Sequence, residues 1–260
     1  LVEVRAVVWP EGAGVPRVLG GEFIADSADS GEHSLFAWSN ASGSLPSAEV
    51  WCSPTGSDES GDGSQGNPFR NPYKALQSVG NRDGSAGGTT CYLEEGSYSW
   101  GPYAYPRFDT ENRWATIAAA PGADKSKVVL DASGSSGMRT HLMRVANCTI
   151  TVALTTASQP PPSIWFDNCD IVGPGRYDDF QVVLAQSWLA VYFTDCSTTD
   201  VTNAYDSATL ARNVSAERLG SDAFSRSRMV VNATVNDIDA GGTSYHPDLF
   251  QISGSSETIW

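Results

Sequence analysis

MRVANCTI (143–150), IWFDNCDI (164–171), VYFTDCST (191–198), TLARNVSA (209–216) and RMVVNATV (228–235) are one motif written five times. In each, an apolar run climbs to an Asn or Asp, after which a small or apolar residue and a small polar one follow. The pivots are Asn147, Asn168, Asp195, Asn213 and Asn232, at intervals of 21, 27, 18 and 19 residues. A unit of this length repeating along a chain is the signature of a solenoid. Its columns say which one. Two residues before the pivot stand Val145, Phe166, Phe193, Ala211 and Val230, and four before stand Met143, Ile164, Val191, Thr209 and Arg228. That is strand alternation, with every second side chain on one face. After the pivot the apolar positions are one and three residues on, so the inward phase slips by one at the pivot itself. A single residue that turns a strand while both halves keep facing one core needs the left-handed backbone region, which Asn and Asp tolerate best among non-glycine residues. Stacked corners and strands predict an all-β, right-handed parallel β-helix whose coils rest about 4.8 Å apart.

The chain has 260 residues, with 16 basic against 30 acidic side chains and a net charge of −14. That balance argues against nucleic acid and anionic membranes as partners. No apolar run approaches the length of a membrane span. Charged residues make up only 18% of a sequence rich in Ser, Thr, Gly and Asn, which suits an extracellular, secreted β-solenoid. Among the five cysteines, Cys148, Cys169 and Cys196 fall in one inward column and read as buried apolar fillers. Cys52 and Cys91 lie in two early strands and are a candidate pair. Sequons occur at Asn40, Asn147, Asn213 and Asn232, but the last three are pivots whose Asn the corner already explains.

Residues 1–46 depart from the repeat. VEVRAVVW (2–9), PRVLGGEFI (16–24) and HSLFAWSN (33–40) alternate like antiparallel strands, either the end of a β-sandwich or a sheet capping the solenoid. GSLP (43–46) marks the boundary with the solenoid domain, 47–260. At the other end SETIW (256–260) reads as a strand in mid-coil with no cap after it. The expectation is further coils beyond Trp260, or end-to-end self-association.

VWCSPTGSDESGDGSQGNPFRNPYKALQSV (50–79), GGTTCYLEEGSYSW (87–100) and WATIAAAPGADKSKVVLDAS (114–133) together resemble the opening of the pectate-lyase-like right-handed β-helix proteins. There a strand and an SPTGSD loop lead to an amphipathic helix, here Pro72 to Val79, then to a strand, here Thr89 to Glu94. The resemblance covers about residues 50–260 and implies the β-helix fold, with the helix plugging the end of the core. For activity it implies little, because lyases, hydrolases, epimerases and phage fibres share this opening.

A second column follows the corners. Asp178, Asn203, Asp222 and Asp248 each precede an aromatic residue by two positions, at spacings of 25, 19 and 26. Asp222 and Asp248 are therefore expected on neighbouring coils, where two carboxylates share a proton or bind a cation, calcium being the candidate. His246 lies on the loop 239–247 inserted between them and suits acid–base work near neutral pH. Asp222, His246 and Asp248 form the candidate catalytic set, against the plainer reading that such aspartates bond backbone amides in turns. GSDAF (220–224) faintly resembles the NTDG strand of β-helix polygalacturonases, but that family's GHG and RIK motifs are absent. Arg226 and Arg228 are the nearest match to a lyase's catalytic base. Outward positions give Arg144, Trp165 and Tyr192 on successive coils. An exposed aromatic pair with a nearby Arg suits a sugar ring bearing a carboxylate or sulfate, and the plainer reading is packing under a long loop. Arg144, Trp165, Tyr192 and Arg226 are the candidate substrate-binding residues. The function these features suggest is a secreted polysaccharide lyase or hydrolase. Its rival is a non-catalytic structural or adhesive β-helix.

Overall fold

The computed structural model describes residues 5–8, 17–20, 48–79, 88–99, 115–131, 143–151, 154–155, 163–175, 183–184, 190–206, 208–239, 241 and 248–251. One continuous parallel sheet of 13 strands carries most of them, folded lengthwise at a line of corners. Before the corners, Ala48–Cys52, Thr89–Leu93, Ala115–Ala119, Met143–Ala146, Ser163–Asp167 and Ala190–Thr194 stack as a file of parallel strands. Beyond the corners, Gly96–Ser99, Val128–Asp131, Thr149–Thr151, Asp170–Val172 and Ser197–Val201 stack likewise. Leu210–Leu219 and Val230–Ile238 run through the corner and belong to both files. Each coil after the first, in which Ala48–Cys52 leads to the helix, thus gives one strand to each file, the architecture of a parallel β-helix. A third side is marked by the parallel pair Phe224–Ser225 with Phe250–Gln251.

The corners have the conformation their residue types predict. Asn147, Asn168, Asp195, Asn213 and Asn232 all hold φ between 52° and 56°. Their exposed side chains add a ladder, in which the Nδ2 groups of Asn168, Asn213 and Asn232 donate to Asn147, Asp195 and Asn213 at 2.7–2.8 Å. Five residues further on lies a second line of left-handed corners, Asp200, Arg218 and Asp237, with φ of 54–58°. Arginine has no local preference for this region. Arg218 is tied there by its fork to Asp200, with Nε–Oδ1 and Nη2–Oδ2 both 2.7 Å.

Inward columns fill the core. Phe166, Phe193, Tyr205 and Phe224 form a buried aromatic file that ends on the exposed Phe250, with successive centroids 4.9–5.5 Å apart. Cys148, Cys169 and Cys196 are buried, unpaired and in register, as the repeat requires. Cys52 and Cys91 are also free thiols, their sulfurs touching at 3.5 Å. The register sets Cys52 opposite Leu93 and Cys91 opposite Val50, so the two are diagonal neighbours. Diagonal positions on adjacent strands lie about 7–8 Å apart, beyond the usual disulfide span.

The helix is Pro72–Ser78, capped by Asn71, whose side chain accepts the Tyr73 amide at 2.8 Å. It buries Ala75 and Leu76 against Ala48–Cys52, the terminal strand of the sheet path. Near the N-terminus, Arg5–Val8 and Arg17–Gly20 pair antiparallel, while the expected strand at 33–40 lies outside the described residues.

Candidate functional site

Outward side chains of the first file form two adjacent columns. One reads Glu49, Thr90, Thr116, Arg144, Trp165, Tyr192 and Leu210, and the other Trp51, Tyr92, Ala118, Ala146, Asp167, Thr194 and Arg212. Where the second column drops to Ala118 and Ala146, side chains stop at Cβ while Tyr92 stands on the coil before them. The depression so left is a groove of ≈ 510 Å³. Thr90, Thr116 and Arg144 form one wall, and Lys125, Asn147 and Asn168 edge it at the corner. Its size falls within the roughly 300–1,000 Å³ of ligand clefts.

The cations here are positioned by partners. Lys125 Nζ donates to Asp170 Oδ1 at 2.9 Å and to Asn168 Oδ1 at 3.3 Å. Arg144 pairs with Asp167, and its guanidinium carbon lies 4.5 Å above the Trp165 ring. The Trp165 indole donates to Thr194 Oγ1 at 2.8 Å, and that hydroxyl donates to Asp167 Oδ1 at 2.7 Å. Arg144, Asp167, Thr194 and Trp165 therefore form one closed network.

That network corrects the expected aromatic surface. Trp165 and Tyr192 are on consecutive coils as the repeat demands, yet they are only 5% and 1% exposed. Their rings are packing elements, and burial raises the Tyr192 phenol well above its usual range. Arg144 keeps a third of its side chain open and lines the groove. Arg226 is half-exposed but forked onto the fully buried Asp206. It too sits at positive φ, 54°.

The structure brings Asp222 and Asp248 together on consecutive coils of the third side; His246 lies outside the described residues, as does Asp178. Asp222 is buried and Asp248 exposed. Burial pushes the Asp222 carboxyl above its ordinary range, and the neighbouring Asp248 charge adds to this, against a bond from the Asp248 amide. That bond, Asp248 N–H to Asp222 Oδ1 at 3.3 Å, has a counterpart one coil back, Asp222 N–H to Asn203 Oδ1 at 3.1 Å. The column is thus a ladder in which each side-chain oxygen accepts the amide of the next coil. Among the described residues, no group of three His, Cys, Asp or Glu side chains is arranged to hold a metal. Nor does any contact among them join the acid pair to the groove.

The sequence reading missed the groove itself. Its signal was the outward alanines, Ala118 and Ala146, next to the half-exposed Tyr92, and it became legible only once the register of coils lacking an Asn pivot was fixed.

No family model matches the chain, and no curated protein is similar to it. Among solved structures, a chain titled rhamnogalacturonan lyase is similar, with a TM-score of 0.41 and 12% identity over 82% of this chain. The match spans 65% of that chain's length.

Proposed function

We propose that this is a secreted, right-handed β-helix protein that acts on an extended polysaccharide, as a lyase or a glycoside hydrolase. The observation that carries the reading is the groove on the outer face of the first strand file. Its threonine hydroxyls, amides, tyrosine ring and two anchored cations are the groups that recognise sugar hydroxyls, a pyranose face and an acidic substituent. Asp222 and Asp248, on the third side and joined to the groove by no contact among the described residues, are the candidate acid–base pair. Glycoside hydrolysis needs one protonated carboxyl and one ionised carboxylate. Burial favours the proton on Asp222, and the exposed Asp248 suits the base, with His246 on the adjoining loop.

A second reading, polysaccharide binding without turnover, is favoured by one observation. Asn203 makes with its oxygen the same inter-coil bond that Asp222 makes, and an amide has no acid chemistry to offer. One experiment separates the two. The protein is incubated with uronate-bearing and neutral polysaccharides while ultraviolet absorbance of unsaturated products and release of reducing ends are followed. Absorbance supports a lyase, reducing ends alone a hydrolase, and neither signal with measurable binding the second reading. Absence of both product and binding across the panel overturns the proposal.

A further inference from the structure

Beyond the groove's end at Tyr92, the same outward column continues to Trp51. The two residues are in register on consecutive coils, both half-buried, with ring centroids 5.1 Å apart and planes inclined at 45°. We propose that Trp51 and Tyr92 form a stacking platform for a pyranose ring, so that the cleft binds a glycan lengthwise along the solenoid axis. A sugar packs against the exposed parts of the rings at one end, and an anionic substituent lies at Arg144 and Lys125 at the other. This inference rests on the carbohydrate reading above and gives that site a direction and a ligand pattern.

Three features support it. First, the aromatic pair differs from Trp165 and Tyr192 in the property that matters, because it retains solvent-facing area whereas they have almost none. An aromatic ring presents a flat apolar surface at low conformational cost, matched to the C–H face of a pyranose. Second, the alanine floor follows directly. Ala118 and Ala146 occupy the next two places in the column, so the platform opens into a trough about two coils, or roughly 10 Å, long. The spacing of coils is close to the advance of one sugar unit along an extended polysaccharide, which places successive sugars over successive coils. Third, the wall is graded. Thr90 and Thr116 line the groove but are largely buried, and Arg144, a third of its side chain open, ends the series with its charge. Arg144 Nε is buried and makes no bond of its own, and the side chain is 33% exposed despite the pair with Asp167. Lys125, 34% exposed, stands on the opposite rim. An acidic group entering there meets two fixed cations, each shared with one carboxylate, Arg144 with Asp167 and Lys125 with Asp170.

The test uses the whole chain and two probes, an oligogalacturonate and a neutral galacto-oligosaccharide of equal length, titrated by calorimetry. Trp51→Leu and Tyr92→Leu remove a ring while keeping apolar volume, Trp51→Phe keeps a ring, and Arg144→Gln removes the charge. Each Leu variant is expected to weaken binding of both probes about tenfold, with Trp51→Phe close to wild type. Arg144→Gln is expected to weaken the acidic probe more than the neutral one, so that the preference for the acidic probe is lost; a preference that survives the substitution overturns the assignment of Arg144. If the Leu variants bind both probes as the wild type does, whether or not their stability has fallen, the platform is refuted and the carbohydrate reading stands. If the wild type binds neither probe, both fall.

Discussion

Asn213 offers the sharpest test of how the corners work. It holds φ at 52° and takes part in two rungs of the exposed amide ladder, one to Asp195 and one from Asn232, each 2.8 Å. Asn213→Ala removes both rungs and forces a Cβ-bearing residue without Asn's local compensation into the left-handed region. The backbone part costs about 1–2 kcal/mol. The two rungs are solvent-accessible, so losing them leaves no buried orphan and costs about 1 kcal/mol together, the low end for such bonds. The sum is about 2–3 kcal/mol. Asn213→Gly loses the same rungs but adopts the corner without strain, at a cost of about 0.5–1 kcal/mol in unfolded-chain entropy. Its total is about 1.5–2 kcal/mol, so Gly is the milder replacement although it is the smaller residue. Urea titration followed by far-ultraviolet circular dichroism measures both midpoints, with matched slopes required before they are compared. Repeat proteins lose cooperativity easily, so fluorescence must give the same midpoint. If Ala is tolerated as well as Gly, or better, left-handed strain is not what selects Asn at the pivots, and the derivation of the fold from that column fails.

Other expectations follow from the core and from the acid ladder. Phe193→Ala removes a fully buried ring that contacts Phe166 on one side and Tyr205 on the other, and should cost about 3–5 kcal/mol in the same titration. All five cysteines are buried thiols, and burial raises Cys91, Cys148 and Cys196 above their usual range. A thiol reagent should therefore label none in the native protein and all five after unfolding. A count of three would show that Cys52 and Cys91 had paired. Asp222 has its pKa raised in the folded state, so the native protein binds this proton more tightly than the unfolded chain does. Its stabilising contribution is full below the unfolded carboxyl pKa and is lost as pH rises through the folded value. Asp222→Asn, which copies Asn203 one coil back, should therefore gain stability relative to wild type at neutral pH and lose that advantage on acidification through the carboxylate range. An advantage independent of pH would show that the carboxyl is not the source.

The corner line was legible because its constraint is local. A residue that must hold φ near +55° selects among residue types by itself, and five Asn or Asp residues at matching places in the repeat show the choice. The second line of corners was not legible, because Arg218 occupies one of its places. Its conformation is held by the carboxylate of Asp200, 18 residues earlier, a contact that only the stacking of coils creates. Outward columns were legible as columns but not as surfaces. Trp165 and Tyr192 alternate as exposed residues do, and nothing in alternation distinguishes a face open to water from one that is covered. Trp51 and Tyr92 escaped notice for a different reason. They lie on coils without an Asn pivot, so no motif aligned them across the 41 residues that separate them.

In a β-helix every position is repeated by its neighbours above and below, so a residue's structural duty can be judged from what stands in its place on the adjacent coil. Asn203 fills the place of Asp222, and both oxygens accept the amide of the following coil. The inter-coil bond therefore explains why an Asn or Asp is present and leaves the choice of Asp over Asn unexplained. That choice carries a cost, because a buried carboxyl beside the charge of Asp248 is held above its ordinary pKa, and an amide would make the same bond without it. Asp222→Asn thus removes only what the scaffold does not need. Loss of turnover in that variant, with fold and stability intact, would assign the carboxyl to catalysis. Unchanged turnover would leave Asp222 as one rung of a ladder.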